Sequence, residues 1–92
     1  MAVYSVITTK SAAREIDAIQ NRLDRERIIR RVQQLAENPR PAGSKKLKGS
    51  DNTYRIRQGD YRIIYDVEDD RVLVLVLKVA HRKDVYGRRG RA

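Results

Sequence analysis

The stretch TYRIRQGDYRIIYDVEDDRVLVLVLKVAHR, residues 53–82, decides the fold. In its first part, apolar and charged residues alternate. Tyr54 and Ile56 fall on one side of an extended chain, and Arg55 and Arg57 on the other. Gly59-Asp60 interrupts the pattern with a two-residue turn signal, and Glu68-Asp69-Asp70 interrupts it again. TYRIRQ, YRIIYDV and VLVLVLKVA therefore read as three strands of one antiparallel meander. The last is apolar at every position from 72 to 77, a pattern that suits a strand covered on both faces. It is expected inside the sheet, with helices over one face.

Working outward, the period changes. VYSVITT, residues 3–9, is rich in β-branched residues and reads as an opening strand. Ser11 is expected to cap a helix whose apolar line is Ala12, Ile16, Ile19 and Leu23. Asp24 is expected to cap a second, lined by Ile28, Val32, Leu35 and Ala36. Asn38 and Pro39 should end it, because the residue before a proline avoids helical backbone angles. Residues 10–38 thus read as a helical hairpin, and PRPAGS, 39–44, as a stiff connector too short to separate domains. The fold class expected for residues 1–92 is a single α+β domain: an N-terminal strand, a helical hairpin, then the three-stranded meander.

Composition narrows the chemistry. A chain of 92 residues can bury one small core. With 40% hydrophobic and 36% charged residues, the apolar ones in periodic clusters, it is globular rather than disordered. Without Phe or Trp the core must be aliphatic, helped by five tyrosines. The absence of cysteine excludes disulfides, thiolate nucleophiles and cysteine-bound zinc. Asp66, Glu68, Asp69 and Asp70 sit at a turn and read as solvated rather than as metal ligands, so no metal or cofactor is expected. The longest apolar run, VLVLVL, is far too short to span a membrane, and the first residues lack a basic start before an apolar stretch. A cytoplasmic location with no membrane partner is the expectation.

The formal net charge of +9 calls for a polyanionic partner, whether nucleic acid, an acidic protein or an anionic membrane surface, and charge alone does not choose among them. The excess sits in two blocks, 40–62 and 78–92, around the acid-rich segment 63–77. Folding the meander brings these blocks together. The tight turn at Gly59 should return Arg62 beside Arg55 and Arg57, with Lys45, Lys46 and Lys48 just upstream and Arg82 and Tyr86 at the rim.

If the partner is RNA, such a cluster suits a metal-free cleavage. RNA is cut without metal when its own 2′-hydroxyl attacks the adjacent phosphate, which needs a base, stabilisation of the pentavalent dianion and a proton for the leaving oxygen. Arginine forks match the second task. For the base, His81 and Tyr86 are the choices. A free tyrosine has a pKa of about 10, so about three units of lowering, roughly 4 kcal/mol, must come from nearby cations. Alternation sends His81 to the face opposite Arg82, which favours Tyr86 as base and Arg82 at the phosphate or leaving group.

KKLKGS at 45–50, YRIRQGDYRIIYDV at 54–67, VLVLKVAHR at 74–82 and VY at 85–86 together resemble the signature of the RelE/ParE toxin superfamily, in its RelE branch. The resemblance implies a microbial-ribonuclease-like fold with a mixed, mainly antiparallel sheet. It also implies the toxin of a type II toxin-antitoxin system: an endoribonuclease, or mRNA interferase, that cuts messenger RNA in the ribosomal A site and halts translation. A RelB-like antitoxin is the implied restraint, and an acidic, partly helical segment that folds on binding would suit a basic face beside an exposed edge strand. Position by position, the family's catalytic set falls on Arg55, Arg57, Arg62, Arg82 and Tyr86, while Lys45, Lys46 and Lys48 are expected to hold RNA. The basic pair is lysine in some relatives; arginine at 55 and 57 keeps its proton, so charge stabilisation is its role here. Two alternatives remain: a ParE-like gyrase poison without nuclease activity, and a non-catalytic RNA-binding module, for which the aromatic stacking platform is poor.

Overall fold

The computed structural model describes residues 3–83. In chain order these form β1 (Ser5–Thr8), α1 (Lys10–Asp17), α2 (Arg22–Gln34), β2 (Lys45–Lys46), β3 (Thr53–Gln58), β4 (Tyr61–Glu68), one 3-10 turn (Asp69–Arg71) and β5 (Leu73–His81). The sheet runs β1-β5-β4-β3-β2, parallel only between β1 and β5. It is the expected α+β fold with a mixed, mainly antiparallel sheet. The apolar strand β5 lies between β1 and β4, as its two-faced pattern requires.

The β3–β4 hairpin is as tight as the sequence suggests. Gln58 stands opposite Tyr61, and Gly59 turns the chain at φ +62°, a region that only glycine enters without steric cost. Between β4 and β5, Val72 closes the 3-10 turn at φ +52°, unusual for a β-branched residue.

The helices depart from expectation at their ends. Thr9, not Ser11, caps α1: its Oγ1 accepts from the Ala12 amide at 3.1 Å and donates to the Leu77 carbonyl at 3.3 Å, fastening the helix start to β5. Asn21, not Asp24, caps α2, accepting from the Asp24 amide at 3.0 Å. That break resets the helical phase, so Leu23 falls on the outer side of α2 and is 59% exposed instead of joining the first helix's apolar line. α2 also ends at Gln34, before Asn38 and Pro39. Its last turns tighten over Leu35–Glu37, and the Ala36 carbonyl accepts from the Tyr4 amide at 2.8 Å, so the approach to β1 takes over the backbone.

Both helices cover one face of the sheet. Ala12, Ile16, Ile19, Ile28, Val32 and Leu35 pack on Ile56, Ile63, Tyr65, Val67, Val74, Val76 and Val79. A register shift keeps β5 in phase with this core: Ile64 faces Lys78 but Tyr65 faces Val76, so Leu77 is left over as a bulge and both Val76 and Val79 point inward. β1 pairs with β5 only as far as Val76. Beyond it Glu15 from α1 serves the strand edge, accepting from the Val79 amide at 2.7 Å and the Lys78 ammonium at 3.2 Å.

β2 is a fifth strand that the sequence did not announce, since two residues show no period. Lys45 pairs with Arg55 and Lys46 with Tyr54. The connector before it is tied down at one point on each side: the buried Tyr65 hydroxyl donates to the Pro39 carbonyl at 2.8 Å, and Arg40 makes a two-pronged bond to Asp69 at 2.8 and 3.2 Å. No helix among the described residues is long and apolar enough to cross a membrane.

Candidate functional site

Register fixes which side chains share the uncovered face. Arg57 stands directly opposite Arg62, and Arg55 is flanked by Lys45 on β2 and Ile64 on β4. Ile56 and Ile63, one step along, point into the core, so Lys45, Arg55, Arg57 and Arg62 all point away from the helices. They line a hollow of about 270 Å³, with Gly43 on its rim. Arg55 and Arg62 are half-buried and Arg57 is exposed.

None of these three arginines forms an ion pair among the described residues. The acids that share the sheet are engaged elsewhere: Asp66 accepts from the Thr53 hydroxyl at 2.6 Å, and Glu68 meets Arg71 at 3.5 Å. Asp69 lies within the Arg40 fork and also accepts from the Tyr4 hydroxyl at 2.7 Å. The acidic turn is therefore partly a structural clasp rather than simply solvated, and no group of three His, Cys, Asp or Glu among the described residues suits a metal ion. Like charges held together without a counter-charge make a positive hollow that an anion would stabilise.

The three lysines separate. Lys45 lines the hollow, Lys46 lies on the opposite side of β2 by alternation, and Lys48 is exposed in the turn that follows. Arg82 donates its backbone amide to the Asp60 carbonyl at 2.9 Å, which holds the end of β5 against the hairpin that carries Arg62. Its side chain is exposed. Tyr86, the expected base, and the basic tail after it lie outside the described residues.

His81 is on the helix side. It pairs with Tyr61, their rings perpendicular at 5.0 Å, and its Nδ1 accepts from the Lys83 amide at 3.1 Å. It borders a separate cavity of about 590 Å³ with Glu15, Asn21, Tyr61 and Lys78. Arg62 instead pairs with Ala80, so the histidine and the arginine hollow occupy opposite sides of the sheet, as alternation indicates. One lining residue had no sequence signal of function: Gly43, whose φ of +92° turns the connector toward β2.

This geometry defines a small α+β fold whose uncovered sheet face carries a hollow lined by four cationic side chains. Comparison with known proteins gives it a lineage. The family model for the ParE toxin of type II toxin-antitoxin system, parDE, matches residues 6–86. The chain is 28% identical over 85 residues to toxin RelG of Mycobacterium tuberculosis, covering 92% of this chain and 98% of that one. It is 35% identical over 66 residues to the mRNA interferase toxin RelE of Escherichia coli, covering 67% and 68% respectively. The archaeal RelE-RelB complex from Pyrococcus horikoshii OT3 matches with a TM-score of 0.77 at 27% identity, over 87% of this chain and 96% of that one. The chain belongs to the RelE/ParE toxin superfamily, in its RelE branch, and is a RelE-type toxin of a toxin-antitoxin system.

Proposed function

We propose that this toxin is a ribosome-dependent endoribonuclease that cleaves messenger RNA in the A site. The observation that carries the proposal is the group formed by Arg55, Arg57 and Arg62: one face, one hollow, no carboxylate partner among the described residues. In the reaction the messenger's 2′-hydroxyl attacks its own 3′-phosphate. The opposed forks of Arg57 and Arg62 take up charge on the non-bridging oxygens, where fixed donors contribute most. Arginine does not release its proton near neutrality, so the base must be another group. Tyr86 takes that role; as the phosphate's bond to the leaving 5′-oxygen breaks, giving a 2′,3′-cyclic phosphate, Arg82 hydrogen-bonds the phosphate or that oxygen, which takes its proton from water. His81, across the sheet with Nδ1 engaged, takes no part.

A RelB-like antitoxin is the proposed restraint, supported by the RelE-RelB assembly of the Pyrococcus relative. An acidic segment laid on the cationic face would block the hollow, and its affinity should fall as salt rises. The matching family model is that of ParE, which favours a second reading as a gyrase poison. One pair of assays separates them. Purified toxin should cut a defined messenger only when it is loaded on ribosomes and leave gyrase supercoiling untouched. Inhibited supercoiling with intact messenger would establish the second reading instead. A folded Tyr86→Phe variant should lose cleavage, and wild-type cleavage by it would remove Tyr86 as base.

A further inference from the structure

The outer side of α2 carries a second cationic hollow that the reaction does not use. Arg27, Arg30, Arg31 and Gln34 follow one another at helical spacing and, with Gln58 from the end of β3, line a space of about 220 Å³. Elsewhere on this helix the arginines are satisfied: Arg22 pairs with Glu26 at 3.2 Å, and Arg25 donates to the Ile19 carbonyl at 2.6 Å. Within the hollow they are paired more weakly. Arg27 reaches Asp24 only at 4.0 Å, and Arg30 has no ion pair among the described residues. Arg31 touches Gln34 Oε1 at 3.4 Å, while its Nε is buried with no hydrogen-bond partner. Three like charges on one helix face work against the helix unless an anion joins them.

The position of this hollow indicates what that anion is. Gln58 follows Arg57 in β3, with the two side chains on opposite faces. β2 covers the outer edge of β3 only at Tyr54 and Arg55, so no strand among the described residues covers the edge from Ile56 to Gln58. Cationic groups therefore continue around that edge, from Lys45, Arg55, Arg57 and Arg62 on the uncovered face to Arg27, Arg30 and Arg31 on the helix side. The second hollow has no apolar side chain in its lining. A docking peptide would have the exposed Leu23, one turn before Arg27, as its apolar anchor, whereas an RNA backbone needs only the forked donors and amides that line the hollow itself.

We infer that Arg27, Arg30 and Arg31, with Gln34 and Gln58, form a docking surface for the phosphate backbone of a structured RNA distinct from the strand that is cut. The faces point in different directions, so one short single strand cannot fill both. Resting on the function proposed above, the RNA is ribosomal RNA beside the A site, and this surface holds the toxin in place while the opposite face works.

The test uses vacant ribosomes, so that no messenger contributes. Binding of the full-length toxin to purified 70S ribosomes is followed by sedimentation across a salt series, for wild type, Arg27→Gln/Arg30→Gln and Lys10→Gln/Arg14→Gln. The last removes the same charge from exposed positions on α1. Thermal melts confirm that each variant is folded. The α2 variant should bind about tenfold more weakly or worse, with the slope of log affinity against log salt reduced by about two; the α1 variant should follow wild type. Equal losses in both variants would reduce the effect to net charge and overturn the inference. So would wild-type ribosome binding by the α2 variant, including the case in which it loses only antitoxin affinity. Wild-type binding to vacant ribosomes without cleavage on programmed ones would instead sink the nuclease reading and leave this surface standing. A wild-type toxin that ignores ribosomes overturns both.

Discussion

At the scale of single residues, Tyr65 shows how far local pattern reaches. Alternation along β4 puts it on the same side as Ile63 and Val67, and it is fully buried there. The destination of its hydroxyl, the Pro39 carbonyl, lies across the connector, and no local rule names it. Burial pushes the phenol above its ordinary pKa of 10.0, because ionisation would put a charge in the core. A raised folded pKa means that this residue's contribution is complete below about pH 10 and lost as the pH climbs through the higher folded value. Tyr65→Phe should cost about 1–3 kcal/mol at neutral pH, since the Pro39 carbonyl loses its donor. Urea titrations at neutral and alkaline pH check both points: the variant should be less stable at neutral pH, and its alkaline decline shallower. Val72 was equally invisible; nothing in VLVLVL signals that its first residue adopts a left-handed backbone.

At the scale of elements, the strands were more legible than the helix ends. β3 was readable from end to end because its alternation is strict and its turn has glycine where φ must be positive. Helix caps were harder. Thr9, Ser11, Asn21 and Asp24 are all competent caps, and the choice depends on which one meets a free amide in the folded chain. The Arg40–Asp69 clasp joins elements far apart in sequence: Arg40 also donates to the Tyr54 hydroxyl at 3.0 Å, and Tyr4 brings in the start of the chain. The Arg40 fork, then the Tyr4 hydroxyl, hold the Asp69 carboxyl below its ordinary pKa. With the folded value depressed, the clasp stabilises the fold above the unfolded carboxylate pKa of about 4, and that contribution fades as the pH falls through the folded value. Asp69→Asn should therefore lower the thermal midpoint at neutral pH and converge with wild type in acid. A constant gap between their midpoints from neutral to strongly acidic pH would separate the clasp from the charge on Asp69.

At the scale of the whole molecule, the separation of charge along the chain became a separation in space. The basic block 40–62 anticipated the hollow of Lys45, Arg55, Arg57 and Arg62, because a meander with tight turns leaves little freedom in register; of the other block, among the described residues, only Arg82 is tied to this hairpin, through its backbone bond to Asp60. The arginines of α2 were not legible as a surface. Their grouping with Gln58 depends on how the helix lies across the sheet, which spacing within one element does not reveal. The division of the three lysines likewise followed from β2, too short to show a period. In the proposed reaction the paired arginines of the uncovered face stabilise charge on the reacting phosphate. The most direct test is the single-turnover rate of messenger cleavage on saturating programmed ribosomes, for Arg57→Gln and Arg62→Gln against wild type. Each should slow cleavage by about a hundredfold to a thousandfold with its melting temperature held close to wild type. Rates within twofold of wild type for both folded variants would contradict the claim.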